Sequence, residues 1–527
     1  MKWHLLLLLA VSFVLLNDNI YPGMKFFDRA EAPSPYSLGF LERYREAGKN
    51  LLAEDVLLPR AREQLPPGAK NQAAAAWNYF RNNINAQTGL VNTLDEYEVT
   101  SAWDIASSLS AMHAARKLQL ISKGEFDQSF HALINTLLTM ELIDGRLPNR
   151  YYNTRTSSMV GFTNKEGAVG YSPIDIGRLL GWLYIFKQHY PEYSSDIDKF
   201  ALRINYCSLI DGGELFGGAV DRSGELRVGQ QGRLGYEEYA AKGFFLWGFD
   251  TTAASRIEPL ERVEVSGQSI PIDQRDLLNP LEKSFVVPDS YLLDGLEYHW
   301  DKPDDSHTGP SVFSDAFAYE TASRIYHAQR LRFEATGLLT ARSELQLPNP
   351  PYLVYDSIYA NGKPWRTIDD LGRTLDNQTA LSTRAVFSMW ALWDTPYTQL
   401  LYNRSANLYQ QRQGFYEGVY ESGAVISSFS ANTNAAVLAA LAFVAHGKPL
   451  VASGGEGLWE FALKQAIEKR ANPRCYPLRL VCEKDCDQLA SFSNQGIRAI
   501  QLREVEARLK KLESSREEIL KPFEIVQ

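Results

Sequence analysis

The sequence predicts an all-α domain in which helical hairpins close into an α/α toroid. Three observations support this class: helical segments recur along most of the chain, long polar loops rich in aromatic residues separate them, and strand signals are few. The best strand candidates are residues 263–265 and 352–355, so we expect only a small β insertion. The predicted helices cover about residues 70–83, 101–121, 125–142, 173–189, 195–208, 236–247, 312–336, 382–411, 432–446 and 457–470.

The predicted helices are of two kinds. Residues 105–115 and 434–445 carry Ala, Ser and other small residues on more than one face, which suits burial among other helices. Residues 125–141 and 193–203 are charged, as is typical of helices with a solvent-facing side. An alternation of inner and outer helices, with the loops gathered at one end, is the arrangement expected of a toroid.

Composition limits the class of ligand. The chain has 527 residues, 45% hydrophobic and 22% charged, which indicates a folded protein with a sizeable core. The formal net charge of −9 argues against nucleic acid as a partner, because phosphate backbones attract basic surfaces. The 27 Tyr, 25 Phe and 10 Trp, together with carboxylates, suit neutral, hydroxyl-rich ligands such as an oligo- or polysaccharide.

The N-terminus predicts export. Lys2 and His4 precede an apolar run from Leu5 to Leu16, which is short for a transmembrane helix. Residues 1–20 are therefore interpreted as a signal peptide or an N-terminal membrane anchor, and the protein as periplasmic or extracellular, with an inner-membrane tether as the alternative.

The rest of the chain divides into three predicted parts. Residues 21–67 form a leader or linker, residues 68–472 the barrel domain and residues 473–527 a Cys-containing extension. The extension includes an amphipathic helix at 495–522, which either docks on the domain or mediates oligomerisation.

The four cysteines favour disulfides over a metal site. Cys475, Cys482 and Cys486 cluster near the C-terminus, and Cys207 lies alone. Disulfides are the usual state in exported proteins, whereas the spacings do not fit zinc and no histidine follows His446. We expect no metal and no other cofactor, and the pairing stays open.

Two carboxylates follow helix-capping patterns. The usual nucleophile, zinc-protease and nucleotide motifs are absent, which favours chemistry by carboxylates. Asp104 and Asp175 stand three residues after Ser101 and Ser172, directly before apolar segments. They are interpreted either as structural caps or as bases, because a helix N-terminus keeps a carboxylate anionic at neutral pH.

A second pair of carboxylates is adjacent in sequence. Glu237 and Glu238 lie between Tyr236 and Tyr239, and on a helix their side chains diverge by about 100°, so only one can face a given cavity. Aromatic surroundings and a like charge raise a carboxyl pKa, as a general acid requires. The alternative is two solvated carboxylates on a helix surface.

Other polar and aromatic residues are weaker candidates for substrate binding. Trp365, Trp390 and Trp393 are further candidates for sugar-stacking walls. The residues assigned to substrate binding are Trp103, Arg178, Tyr236, Tyr239, Glu344, Tyr355 and Glu417.

These stretches resemble a known family. The motifs that carry the resemblance are T-S-A-W-D-I-A-S-S-L from Thr100, L-P-N-R-Y-Y-N from Leu147, Y-S-P-I-D-I-G-R-L-L from Tyr171, G-Y-E-E-Y-A-A-K-G-F from Gly235, Y-L-L-D-G-L-E from Tyr291, T-G-L-L-T-A-R-S-E from Thr336, P-Y-L-V-Y-D from Pro351, L-S-T-R-A from Leu381 and T-N-A-A-V-L-A-A-L from Thr433. They are similar to an exported bacterial family of unknown function in the six-hairpin glycosidase group. That family is distantly similar to endo-β-1,2-glucanases and to the transglycosylase part of cyclic β-1,2-glucan synthase. The resemblance covers about residues 70–450.

The resemblance implies an (α/α)6 barrel with an acidic cleft at the loop end of the inner helices. Its cleft candidates are Asp104, Asp175, Glu237, Glu238 and Glu344. The residues after Glu344 depart from the acidic-His pair expected of the family, so Glu344 is assigned to binding or capping rather than to catalysis.

The sequence hypothesis is an exported glycoside hydrolase that cleaves a bacterial glucan, β-1,2-glucan among the options, with inversion. Glu237 or Glu238 would protonate the leaving oxygen and Asp104 or Asp175 would activate water. The main alternative is a non-catalytic saccharide-binding protein with the same cleft, and a third is a scaffold subunit assembled through the C-terminal helix.

Overall fold

The computed structural model describes residues 62–221, 223–257, 260–275, 285–303 and 314–451, together with Leu57, Arg60 and Trp459. The predicted export segment, the three C-terminal cysteines and the 495–522 helix lie outside these residues, as does almost all of the predicted 457–470 helix. Within the described ranges, no helix combines the length and the apolar character needed to cross a membrane.

Eleven α-helices organise the described part of the chain. They are α1 Ala69–Asn83, α2 Ala102–Lys117, α3 Lys123–Thr139, α4 Pro173–His189, α5 Ser194–Leu202, α6 Tyr236–Leu246, α7 Asp289–Tyr298, α8 Ala316–Thr336, α9 Thr383–Leu392, α10 Pro396–Ser405 and α11 Ala431–His446. The sequence did not predict α7, and it predicted one helix over 382–411 where the chain forms α9 and α10. Pro396 begins the second of these, because its ring fixes the first helical turn but cannot continue a preceding helix.

Six of the helices pack in a cyclic order. Helix α2 contacts α4, α4 contacts α6, α6 contacts α7, α7 contacts α9, α9 contacts α11, and α11 contacts α2. These helices are mostly buried, in agreement with the small residues of α2 and α11. Helices α4 and α6 approach at Gly177 and Gly243, where a Cβ added to Gly243 would lie 1.8 Å from the Gly177 carbonyl oxygen.

The other five helices lie against this group from outside. Helix α1 contacts α2 and α11, α3 contacts α2, α5 contacts α4, α8 contacts α7, and α10 contacts α9. Helix α3 shows why: Phe126, Phe130 and Leu133 face inward at helical spacing, while its charged residues remain exposed. The leader contacts the same domain, since the Arg60 backbone N–H donates to the Leu392 carbonyl at 2.8 Å.

The helical framework agrees with the prediction, but the small β insertion predicted from the sequence underestimates the strands: the described residues form nineteen short strands in antiparallel pairs. They are β1 Val99–Ser101, β2 Tyr151–Asn153, β3 Met159–Val160, β4 Gly170–Tyr171, β5 Ile210–Asp211, β6 Glu214–Val220, β7 Leu226–Gln230, β8 Leu260–Val265, β9 Gln268–Asp273, β10 Phe285–Val286, β11 Glu344–Gln346, β12 Leu353–Asp356, β13 Tyr359–Ala360, β14 Lys363–Pro364, β15 Thr367–Ile368, β16 Ala380–Ser382, β17 Tyr409–Gln410, β18 Gly414–Tyr420 and β19 Val425–Phe429. The predicted strands 263–265 and 352–355 fall in β8 and β12. Most of the others have two to five residues, too few to show an alternating pattern.

The strands collect where the inner helices begin. A strand precedes each of the six inner helices, ending between one and six residues before it: β1, β4, β7, β10, β16 and β19. The sheets order as β1-β2-β3, β4-β6-β5 with β7 on β6, β8-β9, β10-β13-β14, β11-β12-β15, and β16-β18-β17 with β19 on β18. They place the loop residues between these strands above the N-terminal ends of the inner helices.

Candidate functional site

The N-terminal ends of the inner helices surround a recess. Its wall includes Trp103, Arg178, Asp289, Arg384 and Asn432. Serine and alanine side chains of α2, α9 and α11 form its deeper part. Local sequence explains the arrangement, because N-cap serines fix where α2, α4 and α11 begin.

Asp104 is fully occupied as a helix cap. Its carboxylate accepts hydrogen bonds from the Ser101 backbone N–H at 3.0 Å and the Ser101 hydroxyl at 2.7 Å. Thr93 and Asn432 donate to the other oxygen at 3.2 and 3.0 Å. Burial raises the pKa of Asp104, and these hydrogen bonds oppose the rise. The capping-box interpretation of the sequence pattern is therefore observed at this residue.

Asp175 occupies the same position on α4 but keeps a partly exposed side chain. Its backbone N–H donates to the Ser172 hydroxyl at 3.3 Å. Burial raises the pKa of Asp175 to about 6; the charge of Arg150 opposes this rise, and the Asp104 carboxylate adds to it. Asp175 is thus a carboxylate that titrates close to neutral pH at the end of an inner helix.

Glu237 is buried and neutralised. The Arg275 guanidinium forms an ion pair with it, and the Gln230 side-chain amide lies 3.0 and 2.9 Å from its two oxygens. Only 1% of the residue is exposed. These contacts suit a structural carboxylate at the β7–α6 junction.

Glu238 caps its own helix. One carboxylate oxygen accepts the Gly235 backbone N–H at 2.6 Å, and the other is buried without a hydrogen-bond partner. Burial raises the pKa of Glu238 to about 8, with a further contribution from Glu237. The predicted rise is present, but it comes mainly from desolvation rather than from the like charge.

Glu344 lies on β11, with part of its side chain exposed. The Tyr236 hydroxyl donates a short hydrogen bond to it, and the Arg384 guanidinium is 3.9 Å from its other oxygen. Burial, followed by the Asp289 charge, raises the pKa of Glu344 to about 7, and the Asp175 carboxylate contributes. Glu344 and Asp175 are therefore electrostatic neighbours although 169 positions separate them.

Two tyrosines lie next to this carboxylate pair. Tyr355 stands directly opposite Glu344 in the β11–β12 ladder, so their side chains share one face. Burial and the Asp175 charge raise the pKa of Tyr151 to about 12. The sequence analysis singled out Tyr355 but missed Tyr151, which belongs to the quoted L-P-N-R-Y-Y-N motif.

Arg178 anchors the wall of the recess. Its guanidinium pairs with Glu297 at 3.1 Å, donates to Ser107 at 2.7 Å and stacks 4.4 Å above the Trp103 ring. The Tyr239 hydroxyl donates to the same glutamate. Arg178 and Tyr239 are buried and partnered, whereas Trp103 is partly exposed.

Arg384 joins three acidic residues that are distant in sequence. It lies 3.3 Å from Asp289, 3.4 Å from Glu417 and 3.9 Å from Glu344. Glu417 is fully buried and also accepts the Gln346 backbone N–H. The sequence analysis missed Asp289 and Arg384, although Arg384 belongs to the quoted L-S-T-R-A motif.

The tryptophans in α9 and directly after it do not form the sugar-stacking wall that the sequence suggested. Trp390 and Trp393 are only 1% and 0% exposed, so neither can stack on a ligand. Trp365 is partly exposed, but the guanidinium of Arg332 lies 5.2 Å from its ring centre.

Two findings concern the cysteines and metals. Cys207 is disulfide-bonded, and the other three cysteines lie outside the described residues. In the part of the chain that the structure describes, no group of three or more His, Cys, Asp or Glu side chains could hold a metal ion.

Solved structures with a similar fold are glucan-related proteins at low sequence identity. One is a proposed glucoamylase from Bacteroides caccae, at 10% identity and a TM-score of 0.51, covering 72% of this chain and 93% of the other. Another is an endo-β-1,2-glucanase from Talaromyces funiculosus in complex with sophorose, at 10% identity and a TM-score of 0.50, covering 88% and 94%. A proposed glucoamylase from Bacteroides uniformis matches at 9% and 0.50, covering 73% and 93%. At this identity the similarity establishes the fold.

No curated protein matches the sequence significantly. A family profile described as "protein of unknown function (DUF3131)" matches residues 71–447, which include the inner helices and every carboxylate described above. This chain is accordingly a member of the DUF3131 family.

Proposed function

We propose that this protein is a glycoside hydrolase that cleaves a glucan with Asp175 and Glu344 as its two carboxylates. The observation that carries the proposal is that these two side chains are partly exposed, that the Asp175 charge acts on Glu344, and that burial raises their pKa values to about 6 and about 7. Glycoside hydrolysis requires one carboxyl group that holds a proton and one that does not.

The surroundings favour different roles for the two groups. Glu344 has the higher pKa, so it holds a proton near neutral pH and acts as the general acid. Asp175 lies near the positive charge of Arg150 and at the N-terminal end of α4, so it is the base that activates water. Inversion predicts that the carboxyl groups stand about 6.5–9.5 Å apart when substrate is bound.

The contacts of the other candidates favour structural roles. All four hydrogen bonds to Asp104 come from protein groups, and Glu237 is buried in an ion pair. Glu238 points one oxygen to its own helix end and the other into a buried environment. None of these three has the exposed oxygen that proton transfer to a bound sugar requires.

The fold supports a glucan substrate. The cyclic order of six inner helices, with an outer helix beside most of them, supports an (α/α)6 toroid. Because a structurally similar protein is an endo-β-1,2-glucanase in complex with sophorose, β-1,2-glucan is the first substrate to test. The N-terminal segment supports export, with the protein either released or held at the inner membrane.

The test is reducing-sugar release from linear and cyclic glucans, β-1,2-glucan included. We expect Asp175→Asn and Glu344→Gln each to lower kcat by about 10²–10⁴-fold, because each removes a proton-transfer group. Glu237→Gln is the matched control and retains kcat. Full activity in both pair variants, with loss of activity in Glu237→Gln or Glu238→Gln, would return the catalytic role to α6.

Saccharide binding without release from any glucan would contradict hydrolysis and favour a binding protein. The stereochemistry is determined by NMR of the product before mutarotation, because its anomeric configuration distinguishes inversion from retention.

A further inference from the structure

Four aromatic side chains form a partly exposed cluster beside the carboxylate pair. The Phe162 ring is central, with its centroid 6.2 Å from Tyr97, 5.8 Å from Tyr151 and 6.3 Å from Tyr352. Phe162 is 36% exposed and Tyr352 is 41% exposed, among the most exposed large hydrophobic residues described. We call these four residues the aromatic platform.

The platform is built by three segments that are distant in sequence. Tyr97 precedes α2, Phe162 follows β3, and Tyr352 lies between β11 and β12. The Tyr97 hydroxyl donates a short hydrogen bond to the Phe162 carbonyl, and Tyr151 pairs with Val160 across the β2–β3 ladder. These contacts fix Tyr97, Phe162 and Tyr151 relative to one another, and all four side chains remain partly exposed. An exposed apolar patch with such support indicates a binding surface.

The platform is continuous with the carboxylate pair. The Tyr151 ring is 5.8 Å from that of Phe162, and the Asp175 charge raises the pKa of the Tyr151 hydroxyl, so Tyr151 is the member of the platform that is near Asp175. On the other side, Tyr355 is opposite Glu344 in the β11–β12 ladder. Tyr352 has a positive φ and directly precedes β12, the strand that carries Tyr355.

We propose that the aromatic platform binds the glucosyl units of a neutral gluco-oligosaccharide that lie beyond the bond being cleaved. Its four side chains carry no charge, which favours a neutral sugar over an acidic polymer. Flat ring faces can pack against the C–H faces of a pyranose while the tyrosine hydroxyls offer hydrogen bonds to its hydroxyl groups. This inference rests on the proposed function, because it assumes that cleavage occurs at Asp175 and Glu344.

The test measures binding rather than turnover. The double variant Phe162→Ala/Tyr352→Ala is made in the Asp175→Asn background, so that substrate is not consumed. It is compared with the Asp175→Asn protein, in which the platform is unchanged. Isothermal titration uses β-1,2-glucan polymer, sophorose and polygalacturonate as ligands. We expect the double variant to bind the polymer about tenfold more weakly, which corresponds to about 1.4 kcal/mol.

Two further variants control for stability and ring chemistry. Phe245→Ala removes a ring that is 40% exposed at the C-terminal end of α6, and we expect this variant to bind the polymer with unchanged affinity. Tyr352→Phe keeps the stacking face and should keep most of the affinity. Should the double variant fail to fold, Phe162→Ala alone gives the same comparison, with thermal unfolding as the check.

The outcomes separate this proposal from the proposed function. If wild-type protein hydrolyses the glucan and the double variant binds it normally, the platform proposal is refuted and the hydrolase stands. If binding falls in the double variant but wild-type protein releases no sugar, the platform stands and hydrolysis fails. If the protein binds none of the glucans, or binds polygalacturonate through the platform instead, the neutral-saccharide platform is refuted.

Discussion

Replacing Glu238 with glutamine removes a charge from a site where burial disfavours it. The amide can still accept the Gly235 N–H, which the carboxylate accepts at 2.6 Å, so the cap of α6 is kept. The change therefore isolates the cost of ionising a buried carboxyl group.

The expected magnitude follows from the pKa. Burial raises the pKa of Glu238 from 4.5 to about 8. Between these values the folded protein holds the proton while the unfolded chain loses it, so wild-type stability falls as the pH rises through this window. Each pKa unit corresponds to about 1.36 kcal/mol, and the group is half-titrated at each end of this window, so the stability of Glu238→Gln relative to wild type should rise by about 4 kcal/mol between pH 4.5 and pH 8.

Urea unfolding of both proteins at pH 4.5, 6, 7 and 8 measures this difference directly. We also expect Glu238→Gln to retain glucan hydrolysis, because the proposed acid is Glu344. A stability difference that does not change with pH, or a variant less stable than wild type at pH 8, would refute the assigned environment. Loss of kcat in a stable variant would instead identify Glu238 as the acid.

Three other predictions test the pair, the helix contact and the buried charges. Activity should peak between pH 6 and 7, since it needs one ionised and one protonated member of the Asp175–Glu344 pair. A profile still rising at pH 8 would contradict the assignment of these two groups. Gly243→Ala should destabilise the protein by about 1–3 kcal/mol, because its Cβ would meet the α4 backbone. Gly124→Ala, at a position without close contacts, should stabilise the protein by about 0.4–1 kcal/mol. Equal melting temperatures of the two variants would contradict the close α4–α6 contact. Arg384→Met should lower the free energy of unfolding in urea by about 3–5 kcal/mol, because the buried carboxylates of Asp289 and Glu417 lose their cation. A decrease below about 1 kcal/mol would show that the other hydrogen bonds of these carboxylates are enough to stabilise them.

Local sequence was informative wherever a structural feature depends on a few neighbouring residues. The S-x-x-D patterns predicted N-cap hydrogen bonds, and both Ser101 and Ser172 accept the backbone N–H of the aspartate three residues later. The composition of α2 predicted burial on several sides, and the strand predicted at residues 263–265 lies within β8. Helix α7 was missed because it has only 10 residues and its central Gly295 weakens the helical pattern.

Local sequence could not distinguish the carboxylates that have structural partners from those that remain partly exposed. Asp104 and Asp175 have the same pattern, but Thr93 and Asn432 reach only Asp104. Glu237 is neutralised by Arg275, a residue of a different segment. No spacing in the sequence reports these partners.

The sequence by itself determined the helical framework, the capping residues and the family, because these depend on short-range hydrogen bonds, periodicity and motif order. Only the tertiary structure decided which carboxylates remain available for chemistry. Whether a carboxylate is available depends on its burial and on the polar and charged groups that the fold brings next to it. Around Glu344 these are the Tyr236 hydroxyl and the charges of Arg384 and Asp175. Through-space electrostatics of this kind arises only once the chain has folded.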